Sequence, residues 1–572
     1  MVAGPKVVFE VSKLPLHLPL AFLLTAMLIA FGASEQRAWA WTSSSDTNIE
    51  NYVAGHEPPE FHVRDFGTVA DERGIRGNGS TVGFSITRGN NTVTLLAATT
   101  AFHSADVGKL ISIQGAGADV TYAIPTVRPG TPLKATSAGP LVAKITGLVD
   151  RTHVTISAKA VNSVTAASGN WGTDNYAAIT AAERACNAIT IGPNSRRGTI
   201  VFDPGSYAAG QTIQHLFCSE RGTTEEQSAI LYFGYDSTTG TQIPGGTQPI
   251  WQASLGQTQL SAGFVRDISF HGAPGWALDG MDFETLIDQA FVLSGVHVQS
   301  TVRDNYHIGG SWVNLQWEHI RGDGAGRSMF WLANPPPTSS SVVIDFFTYD
   351  NSGQPMEFRQ RGTPAKVAIS SIVLGIDSEN AAKNGDNPGY FGQIALEHGR
   401  IETNYATDPG DSVIYVHSYA SASGIVSLRD VEYEWFSSAG TSYPQLISFD
   451  YDPANTRAVN PYALYLSFDN FDYSQLAGFS PSFQWQGITH QYPTPPNWTS
   501  SGIISLGKLD GRAVAIWCTA EHGNTVVSGC SSGNVTIPGE SSHAGQATCF
   551  KRGGVIGYCS TAVSSSGSCT CN

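Results

Sequence analysis

From about residue 264 the chain loosely repeats one short pattern: an apolar residue, an intervening one that is usually polar, then a second apolar or small residue. It runs Ile268-Ser269-Phe270, Val296-His297-Val298, Ile320-Arg321-Gly322 and Phe347-Thr348-Tyr349, then Val373-Leu374-Gly375, Ile401-Glu402-Thr403, Val431-Glu432-Tyr433 and Phe471-Asp472-Tyr473. The leading residues recur at intervals of 24–30, with a last interval of 40. Alternation of period two marks a strand with one buried face. The longer recurrence suits a coil of three short strands and three turns, each coil stacked on the one before. The pattern therefore predicts an all-β parallel β-helix over residues 226–510. Ile268 and Phe270 point inward, and Ile320, Phe347, Val373 and Ile401 are expected in one interior column. Ser269, His297, Arg321, Glu402 and Glu432 are expected outward on one ladder.

A different spacing precedes the coils. Ile179, Ala182, Cys186 and Ile189 recur at three and four residues, one apolar face of a helix that Thr173 or Asp174 can N-cap. A short helix with such a face can lie over the open end of a strand stack, whose unpaired backbone groups would otherwise recruit other chains. Thr199 to Phe202 reads as a buried strand and Asp203-Pro204-Gly205 as its turn. Between these pieces, Gly89-Asn90 separates two alternating runs as a hairpin signal, and Asp106–Ile113 and Val154–Ser157 read as further strands. Residues 61–225 are thus expected to form an N-terminal cap that carries an inserted small β module at 81–170, with 41–60 as a polar linker.

Three segments of this region carry a resemblance. Asp65-Phe66-Gly67 closes an extended stretch, Thr173-Asp174-Asn175 heads the helix, and Pro204-Gly205-Ser206-Tyr207 ends the next strand. In that order they resemble the opening of the pectate-lyase-like superfamily, in particular its rhamnogalacturonase/epimerase-like branch. Asn175 stands where that family usually has a second Asp. The resemblance implies a single-stranded, right-handed parallel β-helix. It carries over no catalytic residue, because the polygalacturonase-type patterns are missing. The chain has no Asp-Asp dipeptide and no Gly-His-Gly. The nearest echo is Glu397-His398-Gly399-Arg400-Ile401-Glu402.

Only 14% of the 572 residues are charged, and 61 are glycine, as suits a turn-rich β protein. The formal net charge of −15 argues against a nucleic-acid partner, and a polyanionic glycan would need a bridging cation or an Arg cluster. Lys6 and Lys13 precede an apolar run from Leu14 to Ala33, followed by Ala38-Trp39-Ala40. Residues 1–40 therefore read as a signal peptide cleaved before Trp41. The expected location is secreted, extracellular or cell-surface, with no membrane span after cleavage. Cys518, Cys530, Cys549, Cys559, Cys569 and Cys571 crowd the tail at 511–572. In an exported chain they are expected to pair as disulfides, with metal binding alongside His522 and His543 as the alternative. Cys186 and Cys218 are placed for a further bridge.

Outward residues of adjacent coils stand one strand spacing apart and can form a groove. Two regions, 297–361 and 397–434, concentrate carboxylates, His, Arg and Trp. The candidates are Asp304, Glu318, Asp323 and Glu402 as acid, base or metal ligands, and His307 and Arg321 as proton-transfer or charge-stabilising groups. Trp312 and Trp317 are candidate sugar platforms, and Arg359 and Arg400 candidate substrate contacts. Two carboxylates at a set separation suit glycoside hydrolysis. A base beside a Ca²⁺-bound uronate would instead suit β-elimination, making Ca²⁺ a cofactor only in the lyase case. The sequence thus points to an exported polysaccharide-active enzyme, lyase or hydrolase. The alternative is a non-catalytic glycan-binding adhesin or structural surface protein of the same fold.

Overall fold

Strand pairing in the computed structural model is that of a parallel β-helix. It describes residues 59–435 apart from 97–99, 125–132, 189–197, 217, 254–258, 261–262, 285, 288–290, 311–314, 334–341, 352–371, 378–389, 404–411, 418–422, and farther on the strands 445–450, 464–469, 503–506, 508–509, 512–513, 548–551 and 555–558. The segment read as a signal peptide (1–40), the expected linker up to residue 58, Trp312, Arg359, Phe471 and five of the six tail cysteines lie outside the described residues. Cys549 falls on the strand Thr548–Lys551.

Each coil contributes one long strand to a first parallel sheet and one shorter strand to a second. The first sheet runs through Gly263–His271, Phe291–Gln299, Leu315–Asp323, Val342–Asn351 and onward. The second takes Trp251–Ala253, Met281–Phe283, Asp304–Ile308, Ser328–Ala333, Ile372–Asp377 and Ser412–His417, all paired parallel. Ile268, Val296, Ile320 and Phe347 stack in register down the first sheet. All four are buried in one continuous core with residues of the second sheet. Burying each such side chain is worth about 1.5–3 kcal/mol, so stacking coil on coil is the main support of the fold.

Two expected positions move. Ile401 stacks under Tyr349, one column over from Phe347, whose own neighbour on the next coil is Gly399. A Cβ on Gly399 would lie 2.0 Å from the Phe347 ring, so the ring occupies the space that glycine leaves. Val373 belongs to the opposite sheet. Alternation reports that a strand has one buried face, not which sheet it joins, and this coil is lengthened by the residues between 351 and 390. Glu402 accordingly leaves the expected ladder, which runs Ser269, His297, Arg321, Thr348, Arg400, Glu432, and pairs with Asp350 and Glu434.

The long strands are bent at one equivalent position on six successive coils. Asp267, Gly295, His319, Phe346, His398 and Asp430 all have positive φ, between 48° and 60°. For a residue with a Cβ this backbone costs about 1–2 kcal/mol. The rings answer part of that cost. His319 stacks on Phe346 at 5.1 Å and Phe346 on His398 at 5.3 Å, and aromatic pairs contribute about 0.5–1.5 kcal/mol each. Phe346 is 52% exposed, yet both its faces are covered along the stack.

The cap helix spans Tyr176–Asn187 and buries Ile179, Ala182, Glu183 and Cys186. Asp174 accepts from the Tyr176 N–H (3.1 Å) and the Gly210 N–H (2.9 Å). Asn175 is buried. Its Oδ1 accepts from the Val69 N–H (2.7 Å) and its Nδ2 donates to the Val69 carbonyl (3.0 Å). An Asp could not make the second bond, which accounts for Asn at this position. Cys186 is disulfide-bonded to Cys218. The inserted module is an eight-stranded antiparallel sheet with its own core. Its edge strands are Val164–Ala167 and Arg73–Ile75, with Gly169–Gly172 paired inside the latter, and so it extends beyond 81–170 on both sides. No helix among the described residues is long and apolar enough to cross a membrane.

Candidate functional site

The sequence candidates separate onto two faces. Asp304 and His307 sit on the second sheet, three residues apart, with the His307 Nδ1–H donating to Asp304 at 3.0 Å. Arg321 and Asp323 lie on the first sheet, where Arg321 bonds Asp323 (3.2 Å) and His297 Nε2 bonds the same carboxylate (2.8 Å). Glu318 is exposed nearby and accepts from Ser294 Oγ at 3.3 Å. Arg400 pairs with Glu402 at 2.9 Å, two coils farther on. Trp317 is no sugar platform: it is fully buried, with its ring 5.6 Å from that of Phe283 in the core. Its place in Leu315-Gln316-Trp317 is an inward one, which alternation alone would have assigned.

The face around Asp304 is the richer. In register, Gln252, Asp282, His307 and Trp331 follow one another along neighbouring strands of the second sheet. Asp304 is held by the Arg327 guanidinium, by Ser328 Oγ (2.8 Å) and by His307. Burial works against its charged form, but the Arg327 charge and the His307 hydrogen bond prevail and hold its carboxyl below the ordinary range. Arg303 donates to Asp279 at 2.8 Å, and Asp279 also accepts from the Asp304 N–H at 3.1 Å. Both arginines next to the site are thus committed to carboxylates. The Arg327 guanidinium also lies 3.6 Å over the Trp331 ring.

His307, with its Nδ1 turned to Asp304, directs Nε2 to the other side, 3.8 Å from Glu284. One oxygen each of Asp282 and Glu284 and a ring nitrogen of His307 lie within 4.8 Å of one another. Asp282 is 5% exposed; its Oδ2 accepts from Gln252 at 2.8 Å and its Oδ1 has no hydrogen-bond partner. Burial, reinforced by the charges of Asp279 and Glu284 and opposed by His307, pushes its carboxyl up to about 7. Glu284, at 34% side-chain exposure, is the member open to solvent. A carboxyl that keeps its proton near neutral pH beside an exposed carboxylate and an oriented imidazole is a constellation able to transfer protons.

Asp282 and Glu284 were not among the sequence candidates. The signal was the alternation Met281-Asp282-Phe283-Glu284, a strand between two of the repeats that puts both acids on the outer face. The three groups do not fit Ca²⁺, which takes six to eight oxygen ligands. A second cluster, Glu183, His215 and Glu220, lies beneath the cap helix and is fully buried. His215 Nδ1 and Glu220 Oε1 are 2.6 Å apart, and Trp251 Nε1 donates to Glu220 at 2.9 Å. Two ligands on one ion stand about 3 Å apart or more, so this spacing marks a hydrogen-bonded network.

No protein-family model and no curated protein matches the chain. Among solved structures it is similar to ORF18 of Geobacillus virus E2, at 11% identity over 62% of this chain and 65% of that one, with a TM-score of 0.35. The match spans just under two thirds of that viral protein. The catalytic unit of a GH87 α-1,3-glucanase from Streptomyces thermodiastaticus is 10% identical over 78% of this chain and 97% of its own, with a TM-score of 0.29. The A-module of the Azotobacter vinelandii mannuronan C-5 epimerase AlgE4 is 12% identical over 52% and 73%, also with a TM-score of 0.29. At these values the functional reading rests on the geometry of the site.

Proposed function

We propose that this protein is a glycan-cleaving enzyme, a glycoside hydrolase acting at Asp282, Glu284 and His307. Asp282 is the proton donor to the glycosidic oxygen. Glu284 is the carboxylate that meets the developing positive charge at the sugar carbon. Their short separation is that of a pair whose second carboxylate acts as nucleophile, with too little room for a water between them. His307, oriented by Asp304, sets how firmly Asp282 holds its proton. A neutral glycan is favoured over a uronate, because Arg303 and Arg327 are engaged by Asp279 and Asp304 and a net negative site repels an acidic chain. The observation that carries the reading is the carboxyl of Asp282, raised to about 7 beside an exposed carboxylate on one outward face.

The experiment is a panel of neutral and acidic polysaccharides assayed for new reducing ends, with and without Ca²⁺. Cleavage of a neutral glycan that is lost in Asp282→Asn and Glu284→Gln, and falls as pH rises above about 7, is the expected result. Unsaturated products would identify a lyase and overturn hydrolysis. If no glycan is cut but one is retained on an affinity column, the binding-protein reading replaces this one. Cleavage that survives both substitutions would place the site elsewhere.

A further inference from the structure

We infer that the inserted module is the positioning device of this site, acting through Gln114; the inference rests on the reading of Asp282 as the proton donor. Gln114 is completely buried at the contact between the module and the β-helix. Its Nε2 donates to the Ala273 carbonyl (2.9 Å) and to the Pro274 carbonyl (3.3 Å), and its Oε1 accepts from Trp276 Nε1 (2.9 Å). Ser112, two residues away on the same strand end, donates its hydroxyl to the Pro274 carbonyl. Every polar atom of the Gln114 amide group is therefore spent on the one turn from Gly272 to Trp276.

That turn is strained and leads directly into the site. Trp276 has φ of 56° and is buried, a backbone region that bulky residues rarely occupy. Such strain persists only where surrounding structure holds it; backbone bonds to Tyr232 and Gly246 hold the turn on the β-helix side, and the module supplies all the side-chain bonds to it named above. Gly275 beside it cannot carry a side chain, since a Cβ there would lie 2.3 Å from Phe233 backbone. Three residues on, Asp279 takes Arg303 and the Asp304 N–H, and the Gly280 N–H donates to the Asp304 carbonyl at 2.9 Å. Six residues on stands Asp282. A shift of the turn is thus passed along a short covalent path to the acid and to the pair that orients His307. The sequence shows the insertion but gives no hint of this contact, because Gln114 and Ala273 are 159 residues apart.

The test uses the full chain with Gln114→Leu, which keeps the volume and removes all three bonds, beside Thr146→Ala, an exposed module residue remote from the turn. The Leu variant is expected to lose about 10- to 100-fold in kcat with KM little changed, as misplacement of a reacting group does, and to shift the alkaline limb near pH 7. Hydrogen–deuterium exchange should rise over residues 272–283 and stay as in wild type across the module core. Thr146→Ala should match wild type in every readout. Should Gln114→Leu not fold, Ser112→Ala removes one bond to the same turn and is read identically. A lowered melting temperature with unchanged kcat, pH limb and exchange at 272–283 would overturn the inference. If wild type cuts no glycan, the hydrolase reading fails by itself. The exchange readout still decides the positioning: a rise at 280–283 supports it, and none overturns it.

Discussion

Replacing Glu183 by Gln should stabilise the protein, and increasingly so as pH rises. Glu183 is 1% exposed on the inner face of the cap helix, against Glu220 and with the Leu216 N–H donating to its Oε2 at 3.3 Å. Burial first, and then the Glu220 charge, raises its carboxyl well above the ordinary 4.5. The folded state therefore keeps a proton that the unfolded chain gives up above pH 4.5. Its stabilising effect is complete below that value and is lost as pH climbs toward the folded value, at about 1.4 kcal/mol per pH unit. The wild type should therefore lose stability through this group as pH rises from 5. Gln keeps the acceptor toward the Leu216 N–H and places an N–H donor where Glu183 Oε1 has no hydrogen-bond partner, without titrating. Urea melts of both proteins at pH 5, 6, 7 and 8 should show the variant gaining on wild type as pH rises, by no more than that slope. Parallel stability profiles, or a variant destabilised at pH 7, would refute the assignment of a proton to Glu183.

Asp304→Asn should cost about 3–5 kcal/mol, since it leaves the Arg327 charge without its carboxylate, and Arg327→Met added to it should recover much of that loss in a double-mutant cycle. Removing the Cys186–Cys218 bridge by Cys186→Ala and Cys218→Ala should lower stability by about 3–4 kcal/mol, from the 32-residue separation it closes, with the cap helix the first segment to exchange its amides. Trp317→Ala should cost about 3–5 kcal/mol in a denaturant melt while leaving glycan affinity of the folded protein unchanged, because the ring lies in the core.

The amino-acid pattern alone determined the kind of fold. Period-two alternation recurring near each coil length, a helix with Ile179, Ala182 and Cys186 on one face, and a crowded set of turn residues leave few other ways to bury these side chains. It also marked Asp304 and His307, as members of a region that concentrates carboxylates, His, Arg and Trp. What it left open were relations between coils. Alternation assigns a residue to the inner or outer face of its own strand but not to a sheet, so Val373 and Ile401 were placed in a column they do not share. Glu183 sits on an otherwise apolar helix face, and its partners His215 and Glu220 come from strands beyond a turn. Asp282 and Glu284 become the proposed acid pair only once His307, a coil away, is stacked beside them and burial has raised the Asp282 carboxyl. Burial and coil-to-coil register are set by how long each connecting loop is and what it covers, and those quantities exist only after the chain has closed on itself.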